Sequence, residues 1–445
     1  MALTKATNSM IAGASINVLD FGADPTGAAD SQPAIQSAIN SANLYGAVYI
    51  PTGVYKIGAS LVPSTSTYTA VTIYGDGPST QLVNEAPVSN PTWNCSGVSS
   101  WTIQDMSITG KSTNTNVGIL VDGGVGATES LFWRIERCIV SASSFGIHLR
   151  ETNSGVINQC RFWPQNQPYA SAPSISGTEV GHFINMGGGY VHDVSIIDFE
   201  GLPIDGFAAG TAAIYCDCTS SINVRIRGGL MQGSTTNARY AINASNARGW
   251  LVDAVYLESA LMRFSNAVNI TMTSVAASFI GGSLEISGGS TNNVFNGVEV
   301  AVLTVAAGNP NNTFTGCKFA SITDSSTNRF INCSNTVDMG ADVRVVLPAV
   351  ATVYTANCKN ANINYISIGS GSYTIAAPTA VFDGCFLTYI IKNDGGGALG
   401  AATWDAVFRE TAWTNPASGK ARTVTFVYDS ATSIWWQTAA SNADI

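Results

Sequence analysis

Six residues in the middle of the chain could do chemistry on a polymer: Glu200, Arg225, Arg227, Asp253, Tyr256 and Glu258. Nowhere else do carboxylates, arginines and an aromatic coincide at positions that the local pattern turns outward. Hydrolysis of a glycosidic bond needs one carboxyl as acid and another as base or nucleophile. Separations of about 5 Å favour retention and about 6.5–9.5 Å inversion. Glu200 with Asp253 or Glu258 fits an inverting pair. Arg225 and Arg227 would orient hydroxyls or carboxylates of the sugar. The plainer alternative is a solvated ladder in which these arginines pair with these acids. A second set lies in an insertion read as a projecting loop from Phe162 to Asp193, with Trp163, Tyr169, Glu179, His182, Tyr190 and His192. Aromatics in such a loop suit stacking on sugar rings, so Trp163 and His192 are candidates for substrate binding. A β-elimination would instead need a base and a group that stabilises an enolate. His192 or Tyr256 with Arg227 could serve there.

A short repeated motif assigns these positions. Ile103-Gln-Asp-Met-Ser-Ile108, Ile135-Glu-Arg-Cys-Ile-Val140, Ile196-Ile-Asp-Phe-Glu-Gly201 and Phe314-Thr-Gly-Cys-Lys-Phe319 are four of its copies. Each mostly reads apolar, exposed, turn residue, apolar, exposed, apolar. Two period-2 strand fragments meet at a corner, which is the pattern of a coil in a parallel β-helix. The corners are Asp105, Arg137, Gln159, Asp198, Gly228, Ala254, Ser274, Gly297, Gly316 and Asn332. Asp198, as a corner, is expected to bond turn amides. Coils stack at about 4.8 Å, so carboxylates two rungs apart in one column stand about 10 Å apart. The widest interval, from Gln159 to Asp198, must hold a projecting loop.

Composition agrees with stacked coils. Only 11% of residues are charged, and 44 are glycine. The net charge of −9 comes without a basic stripe, which argues against nucleic acid as a partner. Apolar runs fall far short of a membrane span. Met1 to Ser15 lack the apolar core of a signal peptide, which fits synthesis in a cytoplasm. Cys138, Cys160, Cys317 and Cys333 take the inward slot after a corner and read as core fillers. Cys216-Asp-Cys218 lacks the second pair that a metal site would need. No metal and no cofactor are expected.

Residues 17–82 carry a resemblance. The run Asn17-Val-Leu-Asp-Phe-Gly-Ala-Asp-Pro-Thr-Gly27 is followed by Ala28-Ala-Asp-Ser-Gln-Pro-Ala-Ile-Gln-Ser-Ala-Ile-Asn40, Ala47-Val-Tyr-Ile-Pro-Thr-Gly-Val-Tyr55 and Thr72-Ile-Tyr-Gly-Asp-Gly77. It resembles the opening of the pectate-lyase-like β-helix superfamily, which includes bacteriophage tailspikes. Asp30 or Ser31 can cap a helix that tolerates Pro33 and presents Ala34, Ile35, Ala38 and Ile39 on one face. Such a helix would cover the open first coil. Beyond about Asp338 the coil pattern decays into strands at Ile363–Ile368, Tyr373–Ile375, Phe386–Ile391, Thr423–Tyr428 and Ile434–Gln437, read as an antiparallel sandwich. The stretch from Lys392 to Trp436 resembles the C-terminal domains of phage tail proteins, which trimerise or bind sugar.

The expected fold is therefore all-β: a leader at 1–15, a right-handed parallel β-helix with a short N-terminal capping helix at 16–338, and a C-terminal antiparallel β-sandwich at 339–445. The resemblance implies a homotrimeric tailspike of the virion. It would attach through its N-terminus to the phage tail, baseplate or an adaptor protein, and act on bacterial capsular or O-antigen polysaccharide. Cleavage by a carboxylate pair leads. A lyase acting on a uronate-containing glycan and a non-catalytic adhesin are the alternatives.

Overall fold

A computed structural model describes residues 15–42, 46–63, 70–86, 90–109, 117–123, 129–141, 145–162, 182–201, 212–232, 240–258, 261–277, 282–326, 328–331, 333, 345–347, 353–358, 363–379, 381, 385–410, 413–441 and 444. The leader before Ser15, Trp163, Asn332 and the expected boundary near 338 lie outside them.

The coil pattern becomes three parallel sheets. Among the described residues one sheet has 13 strands, one 20 and one 5. The inward apolar position of the motif forms an unbroken ladder in register. It runs Val48, Ile73, Ile103, Ile135, Ile157 and Ile196, then Ile226, Val252, Met272, Phe295, Phe314 and Phe330. All twelve are buried. Burying each such side chain contributes on the order of 1.5–3 kcal/mol. The phenylalanines at the end of the ladder stack with centroids 4.8 Å apart, which matches the strand spacing.

The corners behave as the motif requires. Nine of the ten expected corner residues, from Asp105 to Gly316, have φ between 48° and 67°. The left-handed region costs an L-residue about 1–2 kcal/mol. Each corner offsets this by donating its N–H to the next rung: Asp198 N to Arg227 O at 2.9 Å and Ala254 N to Thr273 O at 3.1 Å are two cases. A second left-handed column was not expected. Ser100, Phe132, Ser154, Asp193, Asn223, Asn269, Asn292 and Asn311 mark it, and it turns the chain into the 13-stranded sheet. Cys138, Cys160 and Cys317 are buried and Cys333 is half-buried, all as free thiols in the inward slot.

The helix Gln32–Ser41 buries Ile35, Ala38 and Ile39 against the first coil. Asp30, not Ser31, supplies the side-chain cap, accepting from Gln32 N at 3.0 Å. Ser31 Oγ instead donates to Asp24 O.

The C-terminal strands sit where the sequence puts them, but their pairing differs. Val345–Leu347, Ile363–Ile368 and Phe386–Asn393 pair parallel. So do Val353–Asn357, Tyr373–Thr379 and Ala402–Trp404 in a second sheet. Successive strands alternate between the two sheets, so each returns to its sheet in the same direction. Antiparallel pairing enters with Ala421–Asp429, which pairs with Phe386–Asn393 and with Ile434–Ala440. A separate core of Tyr389, Phe426, Trp435 and their neighbours lies here.

Candidate active site

Glu200 opens a short strand directly after the corner Asp198 and the buried Phe199. Its register partner is Arg161 on the preceding rung, and Arg161 Nε lies 2.9 Å from Glu200 Oε2. These residues line a groove of about 490 Å³ together with Gln159, Asp198, Gly229 and Leu230. The groove therefore spans three rungs at the edge where one sheet turns into the next. Two carboxyl groups and a guanidinium border it.

Local backbone explains why Asp198 faces this groove. Gly228 occupies the next corner, with φ +67°, and a Cβ there would lie 2.3 Å from Asp198 Oδ1. Gly229 follows at φ +99°, and a Cβ there would meet Phe199 O at 2.3 Å. The glycine pair lets the backbone of one rung approach the carboxylate of the previous one.

The other expected residues continue the surface. In register, Glu200 leads to Leu230 and then to Tyr256, two rungs or about 10 Å on. Tyr256 is 46% exposed, and Glu258 ends the same strand. On the neighbouring sheet Arg227 pairs with Asp253 at 3.7 Å, and Thr273 Oγ1 donates to Asp253 Oδ1 at 2.7 Å. Arg225, at the other end of the same strand as Arg227, is exposed. These residues lie on adjoining strands of two sheets, and Glu200 and Asp253 are separated. Glu200 shares the groove with Asp198, while Asp253 is held by Arg227 and Thr273 around the corner.

His192 is elsewhere. It belongs to a strand, Tyr190–His192, of the five-stranded sheet, not to a projecting loop. Its Nε2 lies 3.3 Å from Ser220 Oγ, and the Tyr190 ring is 5.0 Å away. The structure therefore does not place it with Arg227 and Tyr256. His182 is also in a strand and buried. Asp198 and Arg161 are the groove residues that sequence reasoning underused. Their signal was available: with the long insertion removed, Gln159–Arg161 and Asp198–Glu200 are consecutive copies of one motif.

A family model described as rhamnogalacturonase A/epimerase, pectate lyase-like matches residues 15–93, which contain the cap and the first coils. This is the segment on which the resemblance rested. No curated protein matches. Among solved structures, the A-module of mannuronan C-5 epimerase AlgE6 from Azotobacter vinelandii is 14% identical at a TM-score of 0.48, covering 72% of this chain and 99% of that one. ORF18 of Geobacillus virus E2 is 12% identical at 0.41, covering 94% and 71%. The catalytic unit of a GH87 α-1,3-glucanase from Streptomyces thermodiastaticus strain HF3-3 is 16% identical at 0.40, covering 75% and 70%.

Proposed function

We propose that the protein is a phage tailspike subunit that binds a bacterial surface polysaccharide, capsule or O-antigen, and hydrolyses it in the Glu200 groove. The observation that carries this reading is the groove itself, an open trough across three rungs with Asp198, Glu200 and Arg161 on its walls. An open trough suits a chain that enters sideways, whereas a closed pocket suits a small molecule. The pectate-lyase-like match over 15–93 supports a glycan as the polymer.

In this reading Glu200 activates a water and Asp198 delivers a proton to the leaving oxygen. Arg161 holds the Glu200 carboxylate in one orientation, which lowers the entropy cost of reaching the reactive geometry. Leu230 and Tyr256 extend an apolar and aromatic floor along the axis for neighbouring sugar rings. Asp253 and Glu258, with Arg225 and Arg227, contact the polymer further along. Three subunits attached through their N-termini to the phage tail would present three such surfaces to one cell.

Replacing Asp198 by Asn and Glu200 by Gln tests the assignment. Each variant is expected to retain polysaccharide binding and lose cleavage. Cleavage at the normal rate in both would reject the groove as the active site. A product with an unsaturated uronate end would reject hydrolysis in favour of elimination.

A further inference from the structure

On strands that follow those of the groove, and overlapping two of its three rungs, lies a second cluster. His148, Asn185 and Tyr215 are register partners on three successive rungs, within Phe145–Arg150, His182–Met186 and Ala212–Cys216. Flat rings pack beside them. Phe145 meets His148 edge-on at 4.9 Å and stacks on His182 at 5.8 Å, and His182 stacks on Tyr215 at 4.2 Å with an interplanar angle of 1°. The chain has three histidines, and two of them are here.

The polar atoms of the cluster converge on one small space. A methyl group placed on Gly187 would lie 3.2 Å from Asn185 Nδ2, 3.2 Å from Asp217 Oδ1 and 3.4 Å from His148 Nε2. Asn185 is only 6% exposed, yet its Oδ1 has no hydrogen-bond partner among the described residues. A buried amide oxygen left unpaired costs about 1–3 kcal/mol. It is therefore an enclosed acceptor that lacks a donor. Burial, and then the negative charge of Asp217, raise the pKa of the Tyr215 hydroxyl. His182 Nδ1 accepts from Ala212 N at 3.0 Å, which leaves the proton of the neutral ring on Nε2.

The charge of the site selects among ligands. Burial lowers both His148 and His182 to about 4, so both rings are neutral near pH 7. The nearby cation, Arg150, lies 3.5 Å from Asp122 and is already balanced by it. Asp217 adds a further negative charge. An anionic sugar would meet net repulsion, whereas a neutral one would meet acceptors, donors and stacked rings.

We infer that His148, Asn185, Tyr215 and Asp217 around Gly187 form a second saccharide-binding site, specific for a neutral, hydroxyl-rich sugar residue. It deepens the polysaccharide reading above but uses none of the groove residues. A sugar hydroxyl would donate to Asn185 Oδ1 while a neighbouring hydroxyl donates to Asp217.

The test uses the full chain labelled with ¹³C-histidine; a His192→Gln variant assigns the His192 ring signal and leaves the other two to His148 and His182. The probes are neutral oligosaccharides of glucose, galactose, mannose and N-acetylglucosamine, with oligogalacturonate as the charged counterpart. At least one neutral probe is expected to shift the His148 and His182 signals saturably and leave His192 unmoved. Asn185→Leu is expected to weaken that binding about tenfold, the value of one lost hydrogen bond. The inference is overturned if no neutral probe moves the two signals, if oligogalacturonate moves them equally, or if Asn185→Leu leaves the affinity unchanged. Histidine shifts without any cleavage would reject only the catalytic reading. Cleavage with unmoved histidines would reject only this second site.

Discussion

Glu200→Gln is the substitution with the clearest arithmetic. It keeps the shape of the side chain and removes its charge. Two effects follow, and their sizes differ. The ion pair with Arg161 is lost, but its side chains are 55% and 31% exposed. A pair this open contributes at most about 1 kcal/mol after screening. Against a domain stability of about 5–15 kcal/mol, that loss leaves nearly every molecule folded. The catalytic effect is larger: removing a positioned base slows a reaction by about 10²–10⁴, or about 2.7–5.5 kcal/mol of barrier. The two are separated by measuring the rate of new reducing ends on the cleaved polysaccharide beside a thermal melt. The expected result is a loss of at least about a hundredfold in rate with a melting temperature within a few degrees of the parent. A rate within about tenfold of the parent, in a folded protein, would refute the role of Glu200.

Other consequences follow from particular contacts. Gly228→Ala would drive a methyl group into the Asp198 carboxylate, so cleavage should fall sharply while binding of the polymer, checked by gel shift, persists. Gly155→Ala would place its methyl about 2 Å from the fully buried Trp133 ring, and a denaturant titration should show a loss of about 1–3 kcal/mol or more. His148 and His182 have folded values of about 4, below the usual 6.5, because burial disfavours the charged ring. The unfolded chain therefore takes up protons first as pH falls. Stability from these two residues is complete above about pH 6.5 and is lost between about 6.5 and 4, by up to about 1.4 kcal/mol per unit for each. Melting curves at pH 7.5 and 5 should show this drop, and a His182→Gln variant should show a smaller one; identical slopes would contradict it.

The parts legible in the sequence were those whose local pattern admits one reading. The alternation around Asp105, Arg137 or Ala254 breaks at a single residue, and that residue is left-handed in the structure. The ladder from Val48 to Phe330 followed from the same register. The second left-handed column was missed because it lies five residues before each corner, outside the six-residue motif, although Asn223, Asn269, Asn292 and Asn311 are a residue type that tolerates this conformation. Strand direction after 345 was missed because period-2 alternation is the same for parallel and antiparallel strands; only the alternation between sheets decides it. Asp198 was assigned to turn bonding because a corner aspartate usually serves its own turn. The glycine that opens room for its carboxylate sits 30 residues later, which a reading of one motif at a time does not join. The His148 cluster was invisible for a different reason. His182 and Asn185 fall in the stretch read as a projecting loop, yet both lie in a strand and are buried.

The most direct test of the central claim is to incubate the protein with a panel of purified capsular and O-antigen polysaccharides and weigh the products by mass spectrometry. The account predicts that at least one polymer is shortened to oligosaccharides that have each gained one water per broken bond, and that Glu200→Gln leaves the same polymer intact. Polymers that are bound but never shortened, or fragments that carry an unsaturated end in place of the added water, would contradict it.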